Sequence, residues 1–109
     1  MGLLYYGAST SPIHMPDRIL AHVKVVIATK LRRGESFTMS WRHPEGEASG
    51  RTTIWLQPSI PLRFVFSTVE PEMLDPALLQ TYANSANSSG GLSIDLDVHQ
   101  PVASAAAGR

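Results

Sequence analysis

The spacing of apolar residues changes at Gly34, and this change constrains the fold more than any other feature. Before Gly34, apolar residues recur with the period of an α-helix, at Ile19, Leu20, Val23, Val26, Ile27 and Leu31. After it, residues 36–42 alternate strictly between polar and apolar, as in a strand with one buried face. The sequence therefore predicts a helix over residues 17–33, ended by Gly34, and then a strand.

The rest of the chain supplies further strands and a second helix. Alternating segments predict strands at 36–42, 51–57 and 62–67, short apolar runs predict a hairpin at 3–6 and 12–15, and 92–98 is a last edge strand. Helical spacing after Pro76 predicts a second helix over 76–87. The order ββ-α-βββ-α-(β) predicts a two-layer α+β domain, with both helices on one face of a mainly antiparallel sheet. The three central strands have short links and are expected to form a meander.

Length and composition indicate a single globular domain. The chain has 109 residues and a formal net charge of +0, so no overall field attracts nucleic acid or anionic lipid. We predict a domain over 1–98 and, because of Pro101 and an alanine run, a disordered tail over 99–109. No targeting signal or apolar segment of membrane-spanning length is visible. A cytoplasmic location without a membrane partner is therefore expected.

Several chemistries lack the residues they need. There is no cysteine, which excludes disulfides, thiolate metal sites and cysteine nucleophiles. The histidines have no metal-ligand spacing, and neither a glycine-rich phosphate loop nor a nucleophile elbow occurs; these histidines are His14, His22, His43 and His99. We therefore assign no catalytic, cofactor-binding or metal-binding residue, and an enzyme ranks below a binding module.

Positive charge is concentrated in the first part of the chain. Residues 1–63 contain eight of the nine Lys and Arg residues. The densest cluster, Lys30, Arg32 and Arg33, ends the first predicted helix, where cations interact favourably with the helix dipole. A basic patch that contacts an anion is the alternative interpretation.

The strand face turned away from the helices is the candidate binding face. If Phe37, Met39 and Trp41 face the helices, the opposite side shows Thr38, Ser40, Arg42, Trp55 and Arg63. Tryptophan and arginine are frequent in protein interfaces, and aromatic side chains also stack on nucleic-acid bases. A solvated face, with Trp55 under a loop or the tail, is the third interpretation. We predict that Trp55 contacts a second copy of the chain, in preference to nucleic acid.

Three segments carry a family resemblance: MPDRILAHVKVVIATKLRRGESFTMSW, TTIWLQPSIPLRFVF and ANSANSSGGL. They resemble short actinobacterial proteins of unknown function, over about residues 1–96. Such proteins are often labelled ATP-dependent DNA ligases, which implies an adenylylated lysine in a Lys-x-Asp-Gly motif. Lys24 precedes Val-Val-Ile and Lys30 precedes Leu-Arg-Arg, so neither lysine fits. The sequence favours a small non-catalytic binding or accessory module that self-associates, with a nucleic-acid-associated protein as the alternative.

Overall fold

Two helices and six strands follow one another in the predicted order in the computed structural model, which describes residues 1–96. Their bounds are β1 Gly2–Tyr6, β2 Ile13–Met15, α1 Asp17–Arg32, β3 Phe37–Arg42, β4 Arg51–Leu56, β5 Leu62–Val65, α2 Pro76–Ala86 and β6 Leu92–Ile94. All strand pairs are antiparallel except β3 with β6. The predicted α+β class and mainly antiparallel pairing are confirmed. The predicted tail, 99–109, and the end of the last predicted strand lie outside the described residues.

The strands form two three-stranded sheets, not a single one. The first sheet has the order β2-β1-β5 and the second sheet the order β4-β3-β6. The predicted meander is wrong at its last link, because β5 pairs with β1, where Leu4 lies opposite Phe64. The linker between β4 and β5 contains two prolines, which have no backbone N–H for a ladder. The second of them, Pro61, instead accepts a hydrogen bond from the Gly7 amide at 2.9 Å, which extends the β1–β5 pair.

Helix α1 ends as its sequence predicts. Gly34 has a φ of 76°, and its amide donates to the Leu31 carbonyl at 3.0 Å. The Glu35 amide donates to the Lys30 carbonyl at 3.1 Å. These two bonds form a Schellman motif, which satisfies carbonyls that the helix itself leaves unpaired.

The core lies between the helices and the inner sides of the sheets. α1 packs on β1 and α2, and α2 packs on β3 and β6. The fully buried members of this core come from every layer and include Leu4, Met15, Leu20, Val23, Met39, Leu56 and Leu92. Within residues 1–96, no helix is long and apolar enough to cross a membrane.

A buried histidine joins the two helices. His22 is fully buried on α1, and its Nε2 accepts a hydrogen bond from the Asp75 amide at 2.8 Å. The proton is therefore on Nδ1, which donates to the Arg18 carbonyl at 2.6 Å. Asp75 caps α2 by accepting from the Ala77 amide, and it pairs with Arg18 at 3.0 Å. This histidine holds the start of α2 against α1.

Candidate functional site

The β3–β4 ladder exposes the candidate binding face as the alternation predicts. Phe37, Met39 and Trp41 of β3 are buried, whereas Arg42 is exposed. On β4 the exposed side chains are Arg51, Thr53 and Trp55. Trp55 is 53% exposed and Trp41 only 8%. The two tryptophans thus lie on opposite sides of the second sheet, and we call the exposed side the outer face; it comprises Thr38, Ser40, Arg42, Arg51, Thr53 and Trp55.

Direct cross-strand pairs organise the outer face. Thr38 lies opposite Trp55, and Ser40 lies opposite Thr53. The hydroxyls of Ser40 and Thr53 are hydrogen-bonded at 2.7 Å. The face is therefore a polar surface with one large aromatic side chain at its end.

Two arginines lie side by side at the other end of the outer face. Arg42 is directly opposite Arg51, and like charges in this position destabilise a sheet. The sequence analysis did not select Arg51, although it has the same strand parity as Trp55. A shallow cavity of about 330 Å³ lies here, lined by Ser40, Trp41, Arg42, Arg51, Ser93, Ile94 and Asp95. Its polar groups suit hydrogen bonding and ion pairing.

Arg63 is not part of the β3–β4 ladder that carries Trp55. It lies on β5 in the first sheet, and its guanidinium carbon is 4.2 Å from the centre of the Tyr5 ring. This is a cation–π distance, so the arginine already has an aromatic partner within the first sheet. Strand alternation predicted its exposure, but the change of sheet at β5 separates it from the outer face.

In the predicted basic patch, Lys30 already forms an ion pair and a hydrogen bond within the chain. Lys30 Nζ lies 2.9 Å from Glu35 Oε1 and donates to Asn87 Oδ1 at 2.7 Å. The hydrogen bond from Lys30 lowers the pKa of the Glu35 carboxyl. Arg32 and Arg33 are both exposed. A groove of about 420 Å³ between the helices is lined by Lys30 and Arg33 together with apolar residues such as Leu79.

A histidine that the sequence analysis left without a role braces the β3–β4 loop. One nitrogen of His43 is 3.0 Å from the Ala48 carbonyl, and the other is 2.9 Å from the Thr52 hydroxyl. Gly50 packs against its ring, since a Cβ there would lie 3.2 Å from the ring atoms. The His43 amide also donates to the Gly50 carbonyl at 2.8 Å. These contacts close the loop. They also fix which residues of β4 form hydrogen-bonded pairs with β3.

The model of a family described as a domain of unknown function, DUF7882, matches residues 1–97 of the chain. No curated protein and no solved structure is similar enough to count as a match. The family description names no reaction, ligand or partner.

Proposed function

The chain belongs to the DUF7882 family, and we propose that it is a small non-catalytic binding module that associates with a second copy of itself through the outer face. The observation that supports this proposal is Trp55, which is 53% exposed on an otherwise polar face. The proposal includes a single domain over 1–98 and a cytoplasmic location without a membrane partner.

Exposure of Trp55 has an energetic cost that a partner would offset. Half of a tryptophan side chain is on the order of 100 Å² of largely apolar surface, and its removal from water is worth about 2–3 kcal/mol. Tryptophan has only two side-chain torsions, so little conformational freedom is lost when it is covered. Tryptophan held in this way is among the commonest interface hot spots.

The charged neighbours suit a protein partner. Arg51 and Trp55 project from the same face of β4, separated by Thr53. Arginine stacks readily on an aromatic ring, and the two residue types together are typical of interface centres. A second copy presents the same pair, so each arginine could meet the tryptophan of the other copy.

The molecular mass in solution tests the proposal. We expect a dimer in analytical ultracentrifugation at micromolar concentration, and Trp55→Ala should weaken it by about 2 kcal/mol, or roughly thirtyfold in Kd. Met73→Ala is a matched control, because Met73 is 89% exposed but lies on the loop between β5 and α2. A chain that stays monomeric, or a dimer that Trp55→Ala leaves unchanged, would contradict the proposal.

The arginine pair favours a second candidate, a nucleic-acid-associated protein. Arg42 and Arg51 could contact backbone phosphates while Trp55 stacks on a base. This function requires binding to a single-stranded oligonucleotide that weakens steeply with salt, because phosphate contacts release counterions. Arg42→Ala and Arg51→Ala would then each reduce the salt slope by about one. Self-association through Trp55 without such binding would exclude this candidate.

A further inference from the structure

We infer that two copies join edge to edge: β4 of one copy pairs antiparallel with β4 of the other, with Thr53 on the two-fold axis, to form one continuous six-stranded sheet. This inference rests on the proposed self-association and adds its geometry: the copies meet along the β4 edge of the outer face, where Arg51 and Trp55 project. Its evidence comes from the backbone of β4 and from the order of the side chains along that strand.

The backbone groups of β4 that point away from β3 can be assigned from the ladder. The His43 amide donates to the Gly50 carbonyl at 2.8 Å, so residues 43 and 50 form a hydrogen-bonded pair. In an antiparallel ladder such pairs alternate with non-bonded ones. Given the register of β3 with β4, the backbone of Thr52 and Ile54 faces β3. The N–H and C=O groups of Arg51, Thr53 and Trp55 therefore point away from it.

A side-chain contact supports this assignment. The Tyr6 hydroxyl, from the first sheet, donates to the Trp55 carbonyl. The carbonyl can be reached only because it points away from β3. For Thr53, hydrogen bonds among residues 1–96 involve its side chain with Ser40 and leave its outward amide and carbonyl for a further strand.

The β4 edge differs from the other sheet edges in the described part of the chain. β2 and β6 have three residues each, and Pro12 and Pro16 flank β2. β5 has four residues and follows Pro61. β4 has six residues, without proline, glycine or lysine, and its centre is rich in β-branched and aromatic side chains. Long edges without these protective features readily pair with another strand.

The β4 sequence is complementary to itself in one register. A two-fold axis at Thr53 places Arg51 of each copy opposite Trp55 of the other, on the outer face, where a cation–π contact forms. The same register places Thr52 opposite Ile54 on the inner side, and both are half-buried in one copy. A shift by two residues keeps the backbone bonds but separates arginine from tryptophan.

The Trp55 carbonyl, which already accepts from the Tyr6 hydroxyl, can still accept a bond in this register. A carbonyl oxygen has two lone pairs, so that of Trp55 can accept from Tyr6 and from Arg51 of the second copy. The pairing also gives Arg51 an aromatic partner beside the like charge of Arg42.

Proline at the axis tests the backbone pairing. Thr53→Pro removes an amide that points away from β3, so the hydrogen bonds between β3 and β4 keep all their donors. An edge strand tolerates proline at such a position. We expect its dimer Kd to rise at least tenfold, as loss of two related hydrogen bonds of about 1 kcal/mol each implies. Thr53→Ala keeps the amide and removes only the side chain, so the rise in Kd of Thr53→Pro beyond that of Thr53→Ala measures the backbone contribution. Circular dichroism shows whether each variant is folded.

Cysteine cross-linking tests the same axis without proline. The chain has no cysteine, so Thr53→Cys introduces a single thiol. Opposite residues of a hydrogen-bonded pair have Cα atoms about 5.5 Å apart, within the range of a disulfide. We expect Thr53→Cys to form a covalent dimer on mild oxidation, and Thr81→Cys, exposed on α2, to remain monomeric on a denaturing gel. If Thr53→Pro fails to fold, this result decides alone.

The outcomes separate this inference from the proposed function. Loss of the dimer in Thr53→Pro and a cross-link in Thr53→Cys would support the edge pairing. A dimer that tolerates proline and does not cross-link, yet dissociates in Trp55→Ala, would overturn the edge pairing and leave the proposed function standing. A wild-type chain that is monomeric would overturn both.

Discussion

The two sheets have three strands each but differ in their edge strands and in the side chains that they expose. In the first sheet the edges are short and bordered by proline, and Arg63 stacks on the Tyr5 ring. In the second sheet the edge strand β4 is six residues long and carries the half-exposed Trp55. Alternation gives the second sheet one apolar face, whereas β1 of the first sheet carries leucine and tyrosine on both sides. Edge length and proline placement therefore decide which sheet is suited to receive a partner.

Replacement of the two tryptophans should have the largest effect and tests the difference between the faces of the second sheet. Trp41 is 8% exposed within the core, so Trp41→Ala should lower the free energy of unfolding by about 3–5 kcal/mol. Trp55→Ala should cost less, about 1–2 kcal/mol in the monomer, because about half of its side chain is hydrated already. Urea unfolding at a concentration that keeps the chain monomeric measures both values. Equal losses would contradict the assignment of the faces.

Replacement of Gly91 and of Gly7 by alanine compares how closely the backbone is packed at one position in each sheet. Gly91 precedes β6 with a φ of 77°, and a Cβ there would collide with Thr38 Oγ1 and lie 2.7 Å from the Thr38 carbonyl oxygen. Gly7 follows β1 with a φ of 61°, but its nearest neighbour would be Ile60 at 3.9 Å. Gly91→Ala should therefore cost about 3 kcal/mol and Gly7→Ala about 1 kcal/mol, the backbone cost alone. Thermal melts compare them, and similar values would mean that Thr38 moves freely.

The stability of the fold at high pH depends on Tyr82, which is buried on α2 on the helix side of the second sheet. Burial raises the pKa of Tyr82, on α2, to about 12. The phenol of an unfolded chain ionises near pH 10, so the unfolded state loses its proton first as the pH rises. This contribution to stability is complete below pH 10 and is lost between about pH 10 and 12, by about 2 kcal/mol.

Tyr82→Phe isolates that contribution. The variant cannot ionise at this position, so it should lose less stability than the wild type between pH 8 and pH 11.5 in denaturant titrations. The comparison removes the effect of the other titrating groups, which are common to both proteins. Parallel pH profiles would show that the phenol is hydrated in the native state.

Local pattern determined most of the candidate site. The pleat of a strand sends successive side chains to opposite sides regardless of which strand lies next to it. The exposure of Thr38, Ser40, Arg42 and Trp55 relative to Trp41 therefore follows from residue order alone. The same reasoning would have added Arg51, which has the parity of Trp55. The ends of both helices also follow from local chemistry, since Pro76 begins one and Gly34 ends the other.

Tertiary structure alone decided which strands are neighbours. The sequence favours β5 next to β4, because consecutive strands with a short link commonly pair, but β5 lies next to β1 and takes Arg63 with it. β6 pairs with β3 in parallel, on the edge of β3 that β4 does not occupy. The Lys30 ammonium group contacts Glu35 and Asn87, which the sequence did not indicate as its partners. Backbone hydrogen bonds are similar for any pair of strands, so partners are selected by linker geometry and by competition for the shared core. Both depend on residues far apart in the chain, whereas the side to which each residue points depends only on its neighbours.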